Sequence, residues 1–183
     1  MNNLSSSQHD AEVIINKQEI LEGLERYKEA LQECDKALHL DPENGDTWTN
    51  KGIILFLLER YEEALQACEK AILLDHENVM AWNNKGNILN SLEHHEKALK
   101  ACETAIQINP EYADAWNNKS SALNCLERYE EALQACEKAI LLDPEYADAW
   151  NNKGNALNCL NRYDEAVEAF DRAIYLEEKD SHA

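Results

Sequence analysis

Residues 82–119 read WNNKGNILNSLEHHEKALKACETAIQINPEYADAWNNK, opening and closing on the same tetrapeptide 34 positions apart. Trp48, Trp82, Trp116 and Trp150 all share that interval. Aligning on them divides the 183 residues into five units without insertion, 11–44, 45–78, 79–112, 113–146 and 147–180, with a polar leader over 1–10 and a tail over 181–183. A period of this size is the signature of a solenoid, because each unit is too small to bury its own apolar face and hides it against its neighbours. One uninterrupted array is therefore expected.

Inside a unit the pattern predicts a pair of helices. With Trp82 at zero and a turn of about 100° per residue, Gly86, Leu89 and Leu92 fall on one stripe beside it. Asn83, Asn84, Asn87 and Asn90 gather with Met80 on an arc away from that stripe. Gly86 offers no side chain where a second helix must cross, and Ala98 and Ala105, seven apart on that second helix, let the two backbones approach. The unit should be a tight helical hairpin.

Several columns recur in register: Gly52, Gly86, Ser120 and Gly154; Leu55, Leu89, Leu123 and Leu157; Tyr61, His95, Tyr129 and Tyr163. Two alanine columns follow, Ala64, Ala98, Ala132 and Ala166, then Ala71, Ala105, Ala139 and Ala173, and Pro42, Pro110 and Pro144 close units. The chain closely resembles the tetratricopeptide repeat family, whose period and Trp, Gly, Ala and Pro positions match these columns. The resemblance implies an all-α fold, a right-handed superhelical solenoid of stacked antiparallel helix pairs. Some columns depart from the family. Cys34, Cys68, Cys102 and Cys136 stand where a larger residue is usual, which only Phe170 supplies, and Lys51, Lys85, Lys119 and Lys153 replace a leucine. Those lysines are expected to run their stems along the core edge with the charge outside. His76 and Glu178 occupy proline positions, and Ile14 and Gln18 replace Trp and Gly in the first unit.

Composition narrows the function. A formal net charge of −19 argues against nucleic acid and anionic membrane, which both call for clustered Lys and Arg. It suits a neutral or basic partner, although Glu62, Glu63, Glu69, Glu130, Glu131 and Glu137 can equally be read as a solvated outer face. Met1 to Asp10 form no basic and apolar leader, and the apolar run from Ile53 to Leu58 is too short to span a bilayer, so a cytoplasmic location is expected.

Six cysteines could suggest disulfides, but equivalent positions in adjacent units lie about a helix-pair spacing apart, beyond the reach of a bridge. Free thiols are expected, Cys125 and Cys159 forming a second column. No CxxC pair points to zinc. His94 and His95 are adjacent and would point about 100° apart on a helix, so they make no metal site. No nucleophile is set beside a base and no phosphate loop occurs, so neither catalysis nor a cofactor is expected.

The polar arc is where binding is expected. It continues in the fourth unit as Asn117, Asn118 and Asn124 and in the fifth as Asn151, Asn152, Asn155 and Asn158, while the second unit keeps only Asn50. Asparagine is a weak helix former, whereas its amide carries both a donor and an acceptor for the peptide groups of an extended ligand. The family resemblance implies a protein or peptide ligand held in this way. The opposing explanation is recent duplication, since residues 59–75 and 127–143 are identical. On the ligand reading, alanine at Asn83, Asn117 and Asn151 should weaken binding and leave stability intact or raised.

Two further readings bear on this, the first from the family resemblance and the second from the end of the array. The family's clamp for acidic chaperone tails uses Lys and Arg at groove positions that here hold Thr49, Asn83, Asn117 and Asn151, with Asp46, Met80, Asp114 and Asp148 on the rim. An acidic tail would find no cation there. The second is self-association: Val167, Phe170, Ile174 and Tyr175 on the last helix are expected to stay uncovered, making a homodimer through the end of the array, or through swapped hairpins, the alternative function.

Overall fold

The computed structural model describes residues 23–181, and the expectations for 1–10, Ile14 and Gln18 lie outside them. Among the described residues nine helices and no strand occur. They are α1 (23–40), α2 (Gly45–Leu57), α3 (Tyr61–Leu74), α4 (Val79–Ser91), α5 (His95–Ile108), α6 (Ala113–Cys125), α7 (Tyr129–Leu142), α8 (Ala147–Cys159) and α9 (Tyr163–Ser181). Each of α2, α4, α6 and α8 pairs with the helix that follows it and also touches its counterpart in the adjacent unit, whereas α3, α5, α7 and α9 do not touch one another. The former therefore line the inner, concave face and the latter the outer one.

Each pair closes through a left-handed residue: Glu59, Glu93, Glu127 and Asn161 have φ of 57, 60, 59 and 61°. The next amide reaches back to close the helix end, Arg60 N–H to the Leu55 carbonyl at 2.9 Å and His94 N–H to that of Leu89 at 2.8 Å. The tripeptide Leu-Glu-Arg makes this turn at 58–60 and 126–128, yet at 24–26 it is part of unbroken α1. Helix packing, not the tripeptide, therefore dictates the turn.

The outer helices stop for a different reason. Asp75, Asn109 and Asp143 end α3, α5 and α7, and each side chain accepts the amide of the residue two further on at 2.9–3.0 Å. His76 replaces the proline without loss of the stop, so the short Asp or Asn sets it. At the equivalent position Glu177 cannot form this turn, and α9 runs on for 19 residues.

Packing follows the small columns. Ala64, Ala98 and Ala132 are fully buried, as are Ala71, Ala105 and Ala139. The Gly52, Gly86 and Ser120 column faces Cys68, Cys102 and Cys136, and a Cβ on Gly86 would lie 2.5 Å from the Cys102 Sγ. All six cysteines are free; Cys125 and Cys159 are exposed. Each tryptophan indole donates to a carbonyl six residues earlier, at Pro42, His76, Pro110 and Pro144, over 2.9–3.1 Å, which pins the loop between units. Lys51, Lys85, Lys119 and Lys153 keep their ammonium groups at the surface, 5.2–5.7 Å from the ring centre of their own unit's tryptophan. Each also pairs with a carboxylate of the preceding outer helix, Asp35, Glu69, Glu103 or Glu137, at 2.6–3.7 Å. These partly exposed contacts cross every unit boundary from α1 to α8.

On α9, Val167, Ile174 and Tyr175 are 54–58% exposed. Phe170 corrects the expectation of an uncovered aromatic: it packs inward over Gly154, where a Cβ would meet its ring at 2.6 Å.

Candidate peptide groove

The inner faces of α4, α6 and α8 bound an open cavity of ≈ 470 Å³. Of the expected asparagines it brings together Asn83, Asn84, Asn87, Asn117, Asn118, Asn151 and Asn152. Asn50, Asn155 and Asn158 are exposed outside it. Asn90 is occupied, donating to the Ser121 hydroxyl at 2.9 Å and sharing a 2.7 Å hydrogen bond with His95 Nδ1. Asn124 donates to the Asn152 carbonyl at 3.1 Å, while its buried Oδ1 has no partner among the described residues.

On α4 and α6 the first asparagine of the pair is structural. Asn83 and Asn117 are only 5% exposed, and their Oδ1 atoms accept from Asn118 and Asn152 of the next unit at 2.9 and 2.8 Å. Asn117 Nδ2 donates to the Tyr146 hydroxyl at 3.2 Å, and that hydroxyl donates to Asp114 at 2.8 Å. Where α2 meets the start of α4, the capping residue Asn78 donates from Nδ2 to Thr49 of the same column at 3.2 Å. The expectation that alanine at these positions would spare stability is therefore corrected: at Asn83 and Asn117 it would strip a buried bond that joins two units.

Tyr112 and Tyr146 line the cavity but are absent from the helical-wheel reading, because each sits one residue before its helix. Their column was the available signal. At the same position Asn44 and Asn78 cap α2 and α4, accepting amides at 2.8 Å, whereas tyrosine caps neither α6 nor α8. Burial, reinforced by the Asp114 carboxylate, pushes the Tyr112 hydroxyl up to about 12 and raises that of Tyr146 as well. Asp114 and Asp148 are the charged side chains of the lining, which holds no Lys or Arg.

Tetratricopeptide repeat models match residues 45–78, 79–112 and 147–180, and another matches 101–134. The chain belongs to the tetratricopeptide repeat family. A protein prenyltransferase alpha subunit repeat matches 129–160, running from α7 into α8 and so reading the same helix pairs out of phase. Among solved structures, MamA is 26% identical with a TM-score of 0.71, the match covering 86% of this chain and 92% of that one. YrrB, described as a tetratricopeptide repeat protein with an unusual peptide-binding site, is 28% identical with a TM-score of 0.65, over 90% of this chain and 84% of that one. MamA from Desulfovibrio magneticus RS-1, at 24% identity and a TM-score of 0.72 over 92% and 96% of the chains, shows the fold alone. No curated protein sequence matches. The array is thus an all-α, right-handed superhelical solenoid of stacked antiparallel helix pairs, a protein-interaction module. Among the described residues no helix is long and apolar enough to cross a membrane, and no cluster of three or more His, Cys, Asp or Glu could hold a metal ion.

Proposed function

We propose that the chain is a non-catalytic recognition module whose units, in the 34-residue register of the sequence, hold an extended, neutral-to-basic peptide in the concave cavity. The lining carries this reading: amides and tyrosines surround two carboxylates, Asp114 and Asp148, with no cation among them. Asn84, Asn87 and Asn151 form no side-chain hydrogen bond with a described residue, and Asn118 and Asn152 each use one amide proton to hold the neighbouring unit. Amide groups can therefore pair with successive peptide units of a ligand without selecting its side chains. The carboxylates favour positive charge. Replacing a helix cap by Tyr112 and Tyr146 forgoes about 1 kcal/mol per helix and places two rings beside the ligand path.

Affinity capture from native extract, followed by sequencing of the bound peptides, tests the reading. A groove ligand should lose about tenfold in affinity or more when Asn87 and Asn118 are both alanine, and be unaffected by Glu62→Gln or Glu130→Gln on the outer face. Groove changes without effect, or an acidic ligand lost on those changes, would overturn it.

A second reading is self-association. Val167 and Ile174, seven apart, lie along one stripe of α9 with Tyr175 about 100° further round than Ile174, and all three are more than half exposed. Light scattering at tens of micromolar tests it: a dimer converted to monomer by Val167→Glu with Ile174→Glu supports this contact, and a strictly monomeric parent removes it.

A further inference from the structure

The outer face carries a cleft whose charge opposes that of the whole chain. Between α3 and α5 a cavity of ≈ 460 Å³ has a floor that includes Leu65, Leu89 and Trp82, with Lys85, Lys97 and Lys100 around it. The other outer helices neutralise the matching positions. Arg60 with Glu63, Arg128 with Glu131 and Arg162 with Glu165 form two-pronged pairs at 2.6–2.8 Å. The third unit has His94 and Lys97 there instead, so the pair is gone and an ammonium stands in place of a carboxylate. Lys100 likewise stands where the other outer helices after α1 have Gln66, Gln134 and Glu168. Glu69, on the same rim, is already engaged by Lys85 at 2.9 Å. Lys97 and Lys100 are exposed and form no ion pair with any described residue.

We propose that this convex cleft is a second binding site, for an acidic partner segment that places one large apolar side chain on the floor between flanking carboxylates. Its volume suits a side chain and its immediate neighbours. The apolar floor gains from being covered, and the unpaired ammonium groups need anions that the cleft does not supply. A phosphate polymer fits less well, because a few local cations release few counterions and the remainder of an array with net charge −19 repels it. The site is independent of the concave groove, whose lining shares no residue with it.

The probes are N-acetylated heptapeptides with Leu, Phe or Trp flanked by Asp and Glu, titrated calorimetrically at low salt. The test variant is His94→Arg with Lys97→Glu and Lys100→Gln, which gives the third unit side chains that the second and fourth already carry. Wild type should bind at least one peptide with a dissociation constant on the order of 100 μM, weakening as salt rises. The variant should bind about tenfold more weakly or worse while melting no lower, and Asn87→Ala with Asn118→Ala in the groove should leave binding unchanged. Should the triple variant fold poorly, Lys100→Gln alone should still weaken binding about threefold. Several results overturn the proposal: no wild-type binding below about 1 mM, equal binding by the cleft variants, equal binding of peptides with Asn and Gln flanks, or loss on the groove changes. A wild-type dimer abolished by the cleft variant, without peptide binding, would assign the cleft to a second copy and overturn it too.

Discussion

The ring of Phe170 lies over Gly154 so closely that a Cβ added to the glycine would come within 2.6–2.8 Å of three ring atoms. At Gly86 the added Cβ would meet the Cys102 Sγ at 2.5 Å, a single atom that can rotate away. The chain already contains that second solution, since Ser120 faces Cys136 with both side chains buried. Gly154→Ala should therefore cost about 1–2 kcal/mol, the overpacking exceeding the gain in helix propensity, whereas Gly86→Ser should be close to neutral. Denaturant unfolding of the four-member cycle of Gly154→Ala and Phe170→Cys checks this. The alanine should cease to destabilise once Phe170 is cysteine, and additive effects would refute the contact.

How much of this was legible depended on whether a column acts within a unit or between units. Gly86 and Ala98 are read correctly from one period because each is the other's partner inside one hairpin. Asn83 is polar and lies opposite the core stripe, so its sequence says solvent; only the arrival of Asn118 from the next unit buries it. Phe170 reads from its position on the last helix as part of an uncovered end, but its direction is set by the absence of a side chain at Gly154. Tyr146 escaped because a helical wheel stops where the helix does. The basic cleft was visible as a break in the periodicity at Lys97 and Lys100, yet the loss of an ion pair appears only when the same positions are seen paired in the other units.

The Leu-Glu-Arg tripeptide supplies a comparison of sign. Glu127 has φ of 59°, which costs a side-chain-bearing residue about 1 kcal/mol, whereas Glu25 in the same tripeptide sits inside α1. Glycine relieves the first and weakens the second. Glu127→Gly should raise stability by roughly 0.5 kcal/mol and Glu25→Gly lower it by up to about 1 kcal/mol. Thermal unfolding of both variants tests the pair, and shifts in the same direction would contradict the turn geometry.

Buried thiols make the protein sensitive to alkali. Burial pushes Cys68 and Cys102 up to about 12 and Cys136 up to about 11, from an ordinary value of 9.0. Because the folded values lie above the unfolded one, their contribution is intact below pH 9 and is lost as the pH rises through 11 to 12. Each should steepen the decline by up to about 1.4 kcal/mol per pH unit inside that window. Denaturant midpoints measured from pH 8 to 11 should fall increasingly steeply, and Cys102→Ala should flatten the curve. In the folded state a thiol reagent should reach Cys125 and Cys159 first and the three buried thiols only on unfolding, so six rapid native reactions would contradict the packing.

The asparagine column gives the sharpest test, because equivalent positions should respond with opposite signs. Asn117 is 5% exposed and holds both Asn152 and the Tyr146 hydroxyl, so alanine there removes two hydrogen bonds and leaves their partners under-satisfied. That loss, about 1 kcal/mol per bond, exceeds the roughly 0.5 kcal/mol that alanine returns in helix propensity. Asn83 holds one such bond, from Asn118, and should lose less. Asn151 occupies the same column on α8 but is exposed, its side chain making no hydrogen bond to a described residue. Only the propensity gain remains there, so Asn151→Ala should be neutral or stabilising. Urea unfolding should then rank stability as Asn151→Ala, wild type, Asn83→Ala and Asn117→Ala in falling order. If the three variants shift alike, the column does not join the units through these amides, and its free groups return to the ligand-facing side of the groove.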